Sequence, residues 1–142
     1  MSADQTVRVT RRFNASPERV FDAWLDPSKA GKFLFATPDG KMVRAEIDAR
    51  VGGKFNFTDR RPGEGDVEHV GEYVEIDRPR RLVFTFAVPK YSPVFTKVTI
   101  EIKPLDKGCD LTLTHEGVLS EWADKTREGW SGILDGLARV GE

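Results

Sequence analysis

The stretch that decides the fold is the C-terminal segment EWADKTREGWSGILDGLARVGE, residues 121–142. From Trp130 its large apolar side chains recur at i, i+3, i+4 and i+7, a spacing that keeps them on one face of an α-helix. Because an apolar helix face has to be covered, the segment predicts one long helix packed on a sheet. The predicted face carries Trp122, Trp130, Ile133, Leu134, Leu137 and Val140.

One strand and two short helices are predicted near the start of the chain. Residues 6–13 alternate between apolar and polar side chains, which indicates a strand with one inward face. Ser16 then offers an N-cap and Pro17 stands at a first helical position, so a helix is expected to follow and to end near residues 26–27. Residues 28–33 are expected to form a second short helix.

Most of the chain between residues 43 and 116 is predicted to form strands. Apolar and polar residues alternate with the period of a half-buried strand over residues 43–49, 54–59, 82–88, 94–103 and 111–116. Val43 and Val94 begin two of the inward series. Residues 67–77 are less regular, because both faces are mixed. Short turns between successive strands favour an antiparallel meander, so the predicted class is α+β, with a space between the curved sheet and the last helix.

Composition excludes several classes of function. A chain of 142 residues is expected to form one domain, residues 1–142. The net charge is −1 and the charges are interspersed, so no basic stripe for nucleic acid is present. No apolar run approaches the roughly 20 residues that span a bilayer, and residues 1–6 contain no hydrophobic signal segment. A soluble cytoplasmic protein is therefore expected.

The sequence contains none of the familiar catalytic or metal-binding signatures. It has no Gly-rich phosphate loop, no nucleophile elbow and no paired histidines at metal-ligand spacing. The single Cys109 cannot form an internal disulfide and has no partner at metal-binding spacing. Neither a cofactor nor a metal site is predicted, and whether the chain catalyses a reaction stays open.

Polar residues at inward positions are the first candidates for function. His115 shares its face with apolar residues, and it could be a core residue, a donor to a ligand or a general base. Arg11 could pair with an internal carboxylate, extend to the rim or anchor an anionic ligand. His69, Tyr73 and Glu75 lie two or four residues apart on one strand face, which could line a site or face solvent.

Large apolar residues form the second group of candidates. Aromatic residues make up 10% of the chain and fit either a packed core or an apolar cavity. The residues expected to line a cavity, besides the polar candidates, are Trp24, Phe33, Phe35, Phe55, Phe57, Phe84, Phe86, Val98, Trp122, Trp130 and Leu134.

Five segments resemble one protein family in its own order along the chain. They are RFNASPERVFDAW (12–24), VGGKF (51–55), GEYVEI (71–76), LTLTH (111–115) and GWSGILDGL (129–137). The chain resembles the activator of heat-shock-protein-90 ATPase homologue family, which belongs to the START-like (SRPBCC) superfamily. The resemblance implies a helix-grip fold, with a seven-stranded antiparallel sheet, two short helices after the first strand, a long C-terminal helix and a hydrophobic cavity.

The resemblance leaves several functions open, because relatives include lipid, sterol and hormone carriers, polyketide cyclases and co-chaperone domains. The leading hypothesis is a protein that binds a small hydrophobic or amphipathic ligand, as a monomer or a homodimer. One alternative is an enzyme of the cyclase, hydrolase or dehydratase kind, with His115, His69 or Tyr73 as acid or base. The other is a co-chaperone. One departure is visible: residues 32–38 read KFLFATP, where many relatives have a tryptophan pair and Gly-Pro.

Overall fold

A computed structural model describes residues 4–34, 40–90 and 94–141. Seven strands and three α-helices follow one another in the predicted order. The elements are β1 (Asp4–Phe13), α1 (Pro17–Ala23), α2 (Pro27–Phe33), β2 (Lys41–Ile47), β3 (Lys54–Arg61), β4 (Gly65–Asp77), β5 (Arg81–Phe86), β6 (Thr96–Pro104), β7 (Cys109–Leu119), a 3-10 turn (Ser120–Trp122) and α3 (Ala123–Gly141).

The strands form one antiparallel sheet in the order β1-β7-β6-β5-β4-β3-β2. Strands β2 to β7 are a meander, and β1 joins it at the free edge of β7. The sheet is open and curved, and all three helices lie on one side of it. This arrangement confirms the predicted α+β class and the helix-grip fold.

Local sequence signals fix the two short helices. Ser16 accepts a hydrogen bond from the backbone N–H of Arg19 at 3.2 Å, and Asp26 accepts one from Ser28 at 3.0 Å. Each helix therefore begins with a side-chain cap and then a proline, as the sequence predicts. Their C-terminal caps, Trp24 and Leu34, both have buried side chains.

The core lies between the helices and the inner face of the sheet. Helix α3 contributes Trp130, Leu134 and Leu137, which are almost or fully buried. The strands contribute alternate residues, as their period predicts. None of the helices in residues 4–34, 40–90 and 94–141 is long and apolar enough to cross a membrane.

Three large apolar residues that are predicted to face inward are exposed instead. Val43 is 39% exposed, because a β-bulge between Met42 and Arg44 shifts the alternation of β2. Val94 is 66% exposed, because it precedes β6, which starts at Thr96. Trp122 is 51% exposed, since residues 120–122 form a 3-10 turn whose pitch differs from that of an α-helix. Phe35 and the side chain of Val140 lie outside the described part of the chain.

Candidate functional site

A small apolar cavity lies on the inner face of β3, β4 and β5, beneath the C-terminal ends of α1 and α2. Its volume is about 10 Å³, space for about one water molecule. None of its lining side chains is charged, and none comes from α3. The lining residues are Trp24, Leu34, Phe55, Phe57, Tyr73, Leu82 and Phe84.

Trp24 is the lining residue with the most unusual environment. Its side chain is 1% exposed, and its indole Nε1 is buried without a hydrogen-bond partner in the described structure. The rings of Trp24 and Phe33 pack edge-to-face, with their centroids 5.3 Å apart. Phe33 in turn packs on Gly136 of α3, where an added Cβ would come within 3.1 Å of the Phe33 Cβ. Helix α3 thus supports the cavity from behind without lining it.

Aromatic rings form the floor of the cavity. Phe55 lies 5.6 Å from Tyr73 and 5.4 Å from Phe84 between ring centroids, and its contact with Phe84 is edge-to-face. Phe57 packs beside Phe55 at 5.9 Å. Burial raises the pKa of the Tyr73 hydroxyl, so the phenol remains neutral. The floor therefore offers mainly apolar ring surface.

His115 is fully engaged in a hydrogen-bond chain at the other end of the core. Trp130 Nε1 can only donate, so its 3.0 Å contact makes His115 Nδ1 an acceptor. His115 Nε2 then donates to Thr96 Oγ1 at 2.6 Å, and that hydroxyl donates to the carbonyl of Phe86 at 3.1 Å. Burial lowers the pKa of His115 to about 4, which keeps the ring neutral. The arrangement matches the core interpretation of His115 better than a catalytic one.

His69 has a similar environment on β4. Its Nδ1 donates to the carbonyl oxygen of Phe57 at 3.1 Å, and its Nε2 lies 3.4 Å from Arg61 Nη2, which can only donate. Arg61 also donates from Nε to Oδ2 of the fully buried Asp59 at 3.0 Å. Burial is the main cause that lowers the pKa of His69 to about 4. Both ring nitrogens therefore serve the contact between neighbouring strands.

The two histidines do not form one site. Phe86 stacks on His69, with centroids 6.1 Å apart, and lies 5.8 Å from His115 on its other side. Tyr73, the third residue proposed as an acid or base, belongs to the separate cavity. Glu75 is exposed and pairs with Arg81 at 3.3 Å, because a bulge after Tyr73 changes the alternation of β4.

Arg11 is held by an acidic partner on α3. Its Nε lies 3.0 Å from Asp135 Oδ1, and its Nη1 donates to the carbonyl of Arg12 at 3.0 Å. The guanidinium also lies 5.0 Å from the ring centroid of Phe13. The two side chains are 33% and 60% exposed, so Arg11 extends to the rim and pairs there with an exposed carboxylate instead of an internal one.

Some of the residues that were predicted to line a cavity do line it, and others are packed in the core. The structure brings Trp24, Phe55, Phe57, Tyr73 and Phe84 together at the cavity. Four other candidates, Phe33, Val98, Trp130 and Leu134, are buried in the core without lining it.

Two lining residues, Leu34 and Leu82, were missed. Leu82 shares its strand face with Phe84, so parity could have found it, whereas Leu34 caps a helix and has no periodic signal. Within the described ranges, no cluster of three or more His, Cys, Asp or Glu residues could hold a metal ion.

Several solved structures are similar to this chain over nearly its whole length. A protein from Chromobacterium violaceum is 29% identical, with 96% of each chain covered and a TM-score of 0.84. A protein from Rhizobium loti is 26% identical, with 99% of each chain covered and a TM-score of 0.82. The AHSA1-like protein from Aeromonas hydrophila, at 22% identity, shares the fold: 96% of this chain and 91% of that one are covered, with a TM-score of 0.80.

No curated protein matches the sequence. The family model described as "Activator of Hsp90 ATPase homolog 1-like protein" matches residues 14–142, which include both short helices, strands β2 to β7 and the long helix. The solved structures share this architecture. The chain therefore belongs to the family of Activator of Hsp90 ATPase homolog 1-like proteins, within the START-like superfamily.

Proposed function

We propose that this protein binds a small hydrophobic or amphipathic molecule in the apolar cavity beneath α1 and α2. The observation that carries the proposal is the lining itself: seven uncharged side chains, five of them aromatic, line one space within the core. Ligand sites are commonly apolar and aromatic with few polar groups. Membership of a family of the START-like fold is consistent with such a site.

A ligand larger than one water molecule has to enlarge the cavity. The floor residues belong to strands whose backbones are hydrogen-bonded on both sides, since β3, β4 and β5 are internal to the sheet. The roof residues Trp24 and Leu34 instead cap two helices of seven residues each. Moving the roof breaks fewer backbone hydrogen bonds, so we expect ligand entry to displace the ends of α1 and α2 from the sheet.

Binding is tested first on freshly purified protein by native mass spectrometry, with the denatured mass as reference. A thermal-shift screen of small aromatic ketones, alkylbenzenes and fatty acids follows. We expect a co-purifying molecule or a rise in melting temperature with at least one class. No bound mass and no shift with any class would contradict the proposal.

A cavity-filling variant locates the binding site. Leu34→Phe adds volume to the roof and is expected to abolish the thermal shift. Leu25→Phe is the matched control, because Leu25 is half-buried beside the same helices but does not line the cavity. Equal loss of binding in both variants would argue for a site elsewhere.

The two alternative functions have less support. An enzyme would need a free acid or base facing the cavity, whereas the nitrogens of His69 and His115 are engaged in hydrogen bonds away from it. The family name describes activators of the Hsp90 ATPase. An assay of ATPase stimulation by the purified protein distinguishes that role from small-molecule binding.

A further inference from the structure

We propose that the indole N–H of Trp24 recognises a neutral hydrogen-bond acceptor on the ligand, such as a ketone, ester or ether oxygen, in preference to a carboxylate. The inference rests on the proposed function, since it names the ligand class for the same cavity. It is carried by one buried donor that has no hydrogen-bond partner in the part of the chain that the structure describes.

The two buried tryptophans allow a direct comparison. Trp130 and Trp24 are 3% and 1% exposed, so both indole N–H groups have lost bulk water. Trp130 Nε1 donates to His115 Nδ1 at 3.0 Å, whereas Trp24 Nε1 has no partner in the described structure. A buried donor without a partner is unfavourable and uncommon. An acceptor supplied by a ligand would remove this cost at Trp24 alone.

Water is a poor substitute for that acceptor. The cavity is large enough for about one water molecule, but a buried water usually makes about three hydrogen bonds. Besides the Trp24 N–H, the Tyr73 hydroxyl is the only polar side-chain group among the lining residues. A water molecule here would leave part of its own hydrogen-bonding capacity unused. A carbonyl or ether oxygen needs fewer partners and carries its own apolar body into the cavity.

Charge distinguishes a neutral acceptor from a carboxylate. No lining residue carries a positive charge. On the inner face, the guanidinium groups of Arg11 and Arg61 are paired with Asp135 and Asp59. A carboxylate placed against Trp24 would therefore be buried without a counter-charge, which is far more costly than burying a neutral oxygen.

Three probes of similar size test the inference: acetophenone, isopropylbenzene and benzoate. We expect the wild-type protein to bind acetophenone about fivefold more tightly than isopropylbenzene, which is the effect of one net hydrogen bond. Benzoate should bind most weakly. In Trp24→Phe the preference for the ketone should disappear, so that the two neutral probes bind about equally. The matched control Trp130→Phe removes an indole N–H elsewhere and should keep the preference.

The outcomes separate the inference from the proposed function. Equal binding of the two neutral probes to the wild type, tightest binding of benzoate, or a ketone preference that survives in Trp24→Phe would each overturn the role of Trp24 while ligand binding stands. Failure of all three probes to bind would overturn the role of Trp24, and the proposed function would fall with it only if native mass spectrometry and the fatty acids of the screen also showed no binding.

A measurement on the wild-type protein removes any dependence on the folding of Trp24→Phe. With ¹⁵N-labelled indole groups, acetophenone should shift the Nε1–H resonance of Trp24 downfield, and isopropylbenzene should not. The signals of Trp122 and Trp130 are assigned with Trp122→Phe and Trp130→Phe. A ketone-specific shift on any tryptophan other than Trp24, or on none, would overturn the inference.

Discussion

Trp130 of α3 donates its indole hydrogen to Nδ1 of His115 on β7 across 3.0 Å, with the two rings nearly perpendicular at 81°. The contact is the first step of a chain that continues through Thr96 to the backbone of β5. It joins the long helix to three neighbouring strands by directional bonds. Two exposed polar contacts join α3 to β1, Arg11 with Asp135 and Arg127 with the carbonyl of Arg8, both at 3.0 Å. The buried remainder of the interface is apolar packing, which is less selective for one helix position.

Replacing His115 with leucine should lower the free energy of unfolding by about 1–3 kcal/mol, because the Trp130 N–H would remain buried without an acceptor. Urea unfolding at pH 7.5 measures the change. Adding Trp130→Phe removes the orphaned donor, so the His115→Leu substitution should cost less in that background. The same cost in both backgrounds would show that the hydrogen bond contributes no coupling.

Acidification between pH 6.5 and about 4 should destabilise the fold. Burial lowers the pKa of His69 and His115 from 6.5 to about 4 in the folded chain. In this window the unfolded state binds more protons, so the free energy of unfolding falls as the pH falls. Below pH 4 both states are protonated at these residues and their contribution levels off. Each histidine accounts for about 3 kcal/mol at most.

Urea unfolding at several pH values measures this dependence. His115→Leu should remove about half of the loss between pH 6.5 and 4.5. Between pH 6.5 and 4.5 the histidines titrate but a carboxyl group such as Asp22 does not. Hydrogen bonding to Arg78 lowers the pKa of Asp22 below 3.8, so the contribution of Asp22 to stability is lost only at lower pH. A flat profile above pH 4.5 in the wild type would contradict the expectation.

The fold was largely predictable because its main signals are periodic. Alternation placed Phe55, Phe57 and Phe84 on one sheet face, and the spacing from Trp130 located the core side of α3. Where the period is broken, prediction failed: the bulge in β2 turns Val43 outward, and the 3-10 turn exposes Trp122. Such breaks depend on strand pairing between distant segments, which local patterns do not encode.

The position of the site was less predictable than the fold. A space under the long helix was expected, but the cavity lies beneath the caps of α1 and α2. Whether a side chain fills a space or lines it depends on contacts such as Gly136 against Phe33, which set how closely α2 approaches α3. Whether a buried polar group finds a hydrogen-bond partner also depends on distant parts of the chain, and nothing in the sequence distinguishes the indole of Trp24 from that of Trp130.

The two tryptophans of the C-terminal segment should differ strongly in their effect on stability. Trp130→Ala removes a 3%-exposed ring from the core and should cost about 3–5 kcal/mol. Trp122→Ala removes a half-exposed ring that lies 5.6 Å from Lys125 Nζ, and it should cost less than about 1 kcal/mol. Chemical unfolding of both variants measures the contrast. Similar costs would place Trp122 in the core, as the helix periodicity alone predicts.

The ion pair between Arg11 and Asp135 should contribute little to stability. Their side chains are 33% and 60% exposed, so solvent screens the attraction. Asp135→Asn is expected to cost less than about 1 kcal/mol, and the cost should shrink further in 1 M salt. Thermal unfolding at low and high salt measures both. A larger, salt-independent loss would show that Asp135 compensates a buried charge.

Gly71 on β4 lies against Phe55 of the cavity floor, and its replacement by alanine should disrupt both the sheet and the site. An added Cβ would overlap the carbonyl oxygen of Thr85 and come within 2.6 Å of the Phe55 ring. Backbone cannot yield as a flexible side chain can, so we expect a loss of about 3 kcal/mol, at the upper end for overpacked sites.

Gly129→Ala is the matched control, because its Cβ would meet nothing within 4 Å, and alanine is the better helix former. That substitution on α3 should stabilise the fold by about 0.5–1 kcal/mol. Urea unfolding of the two variants under one condition measures the difference. If Gly71→Ala were as stable as the wild type, β4 and β5 would have to lie further apart than they do in the structure. The cavity floor at Phe55 would then be deformable, and the cavity could be enlarged from the sheet side as well.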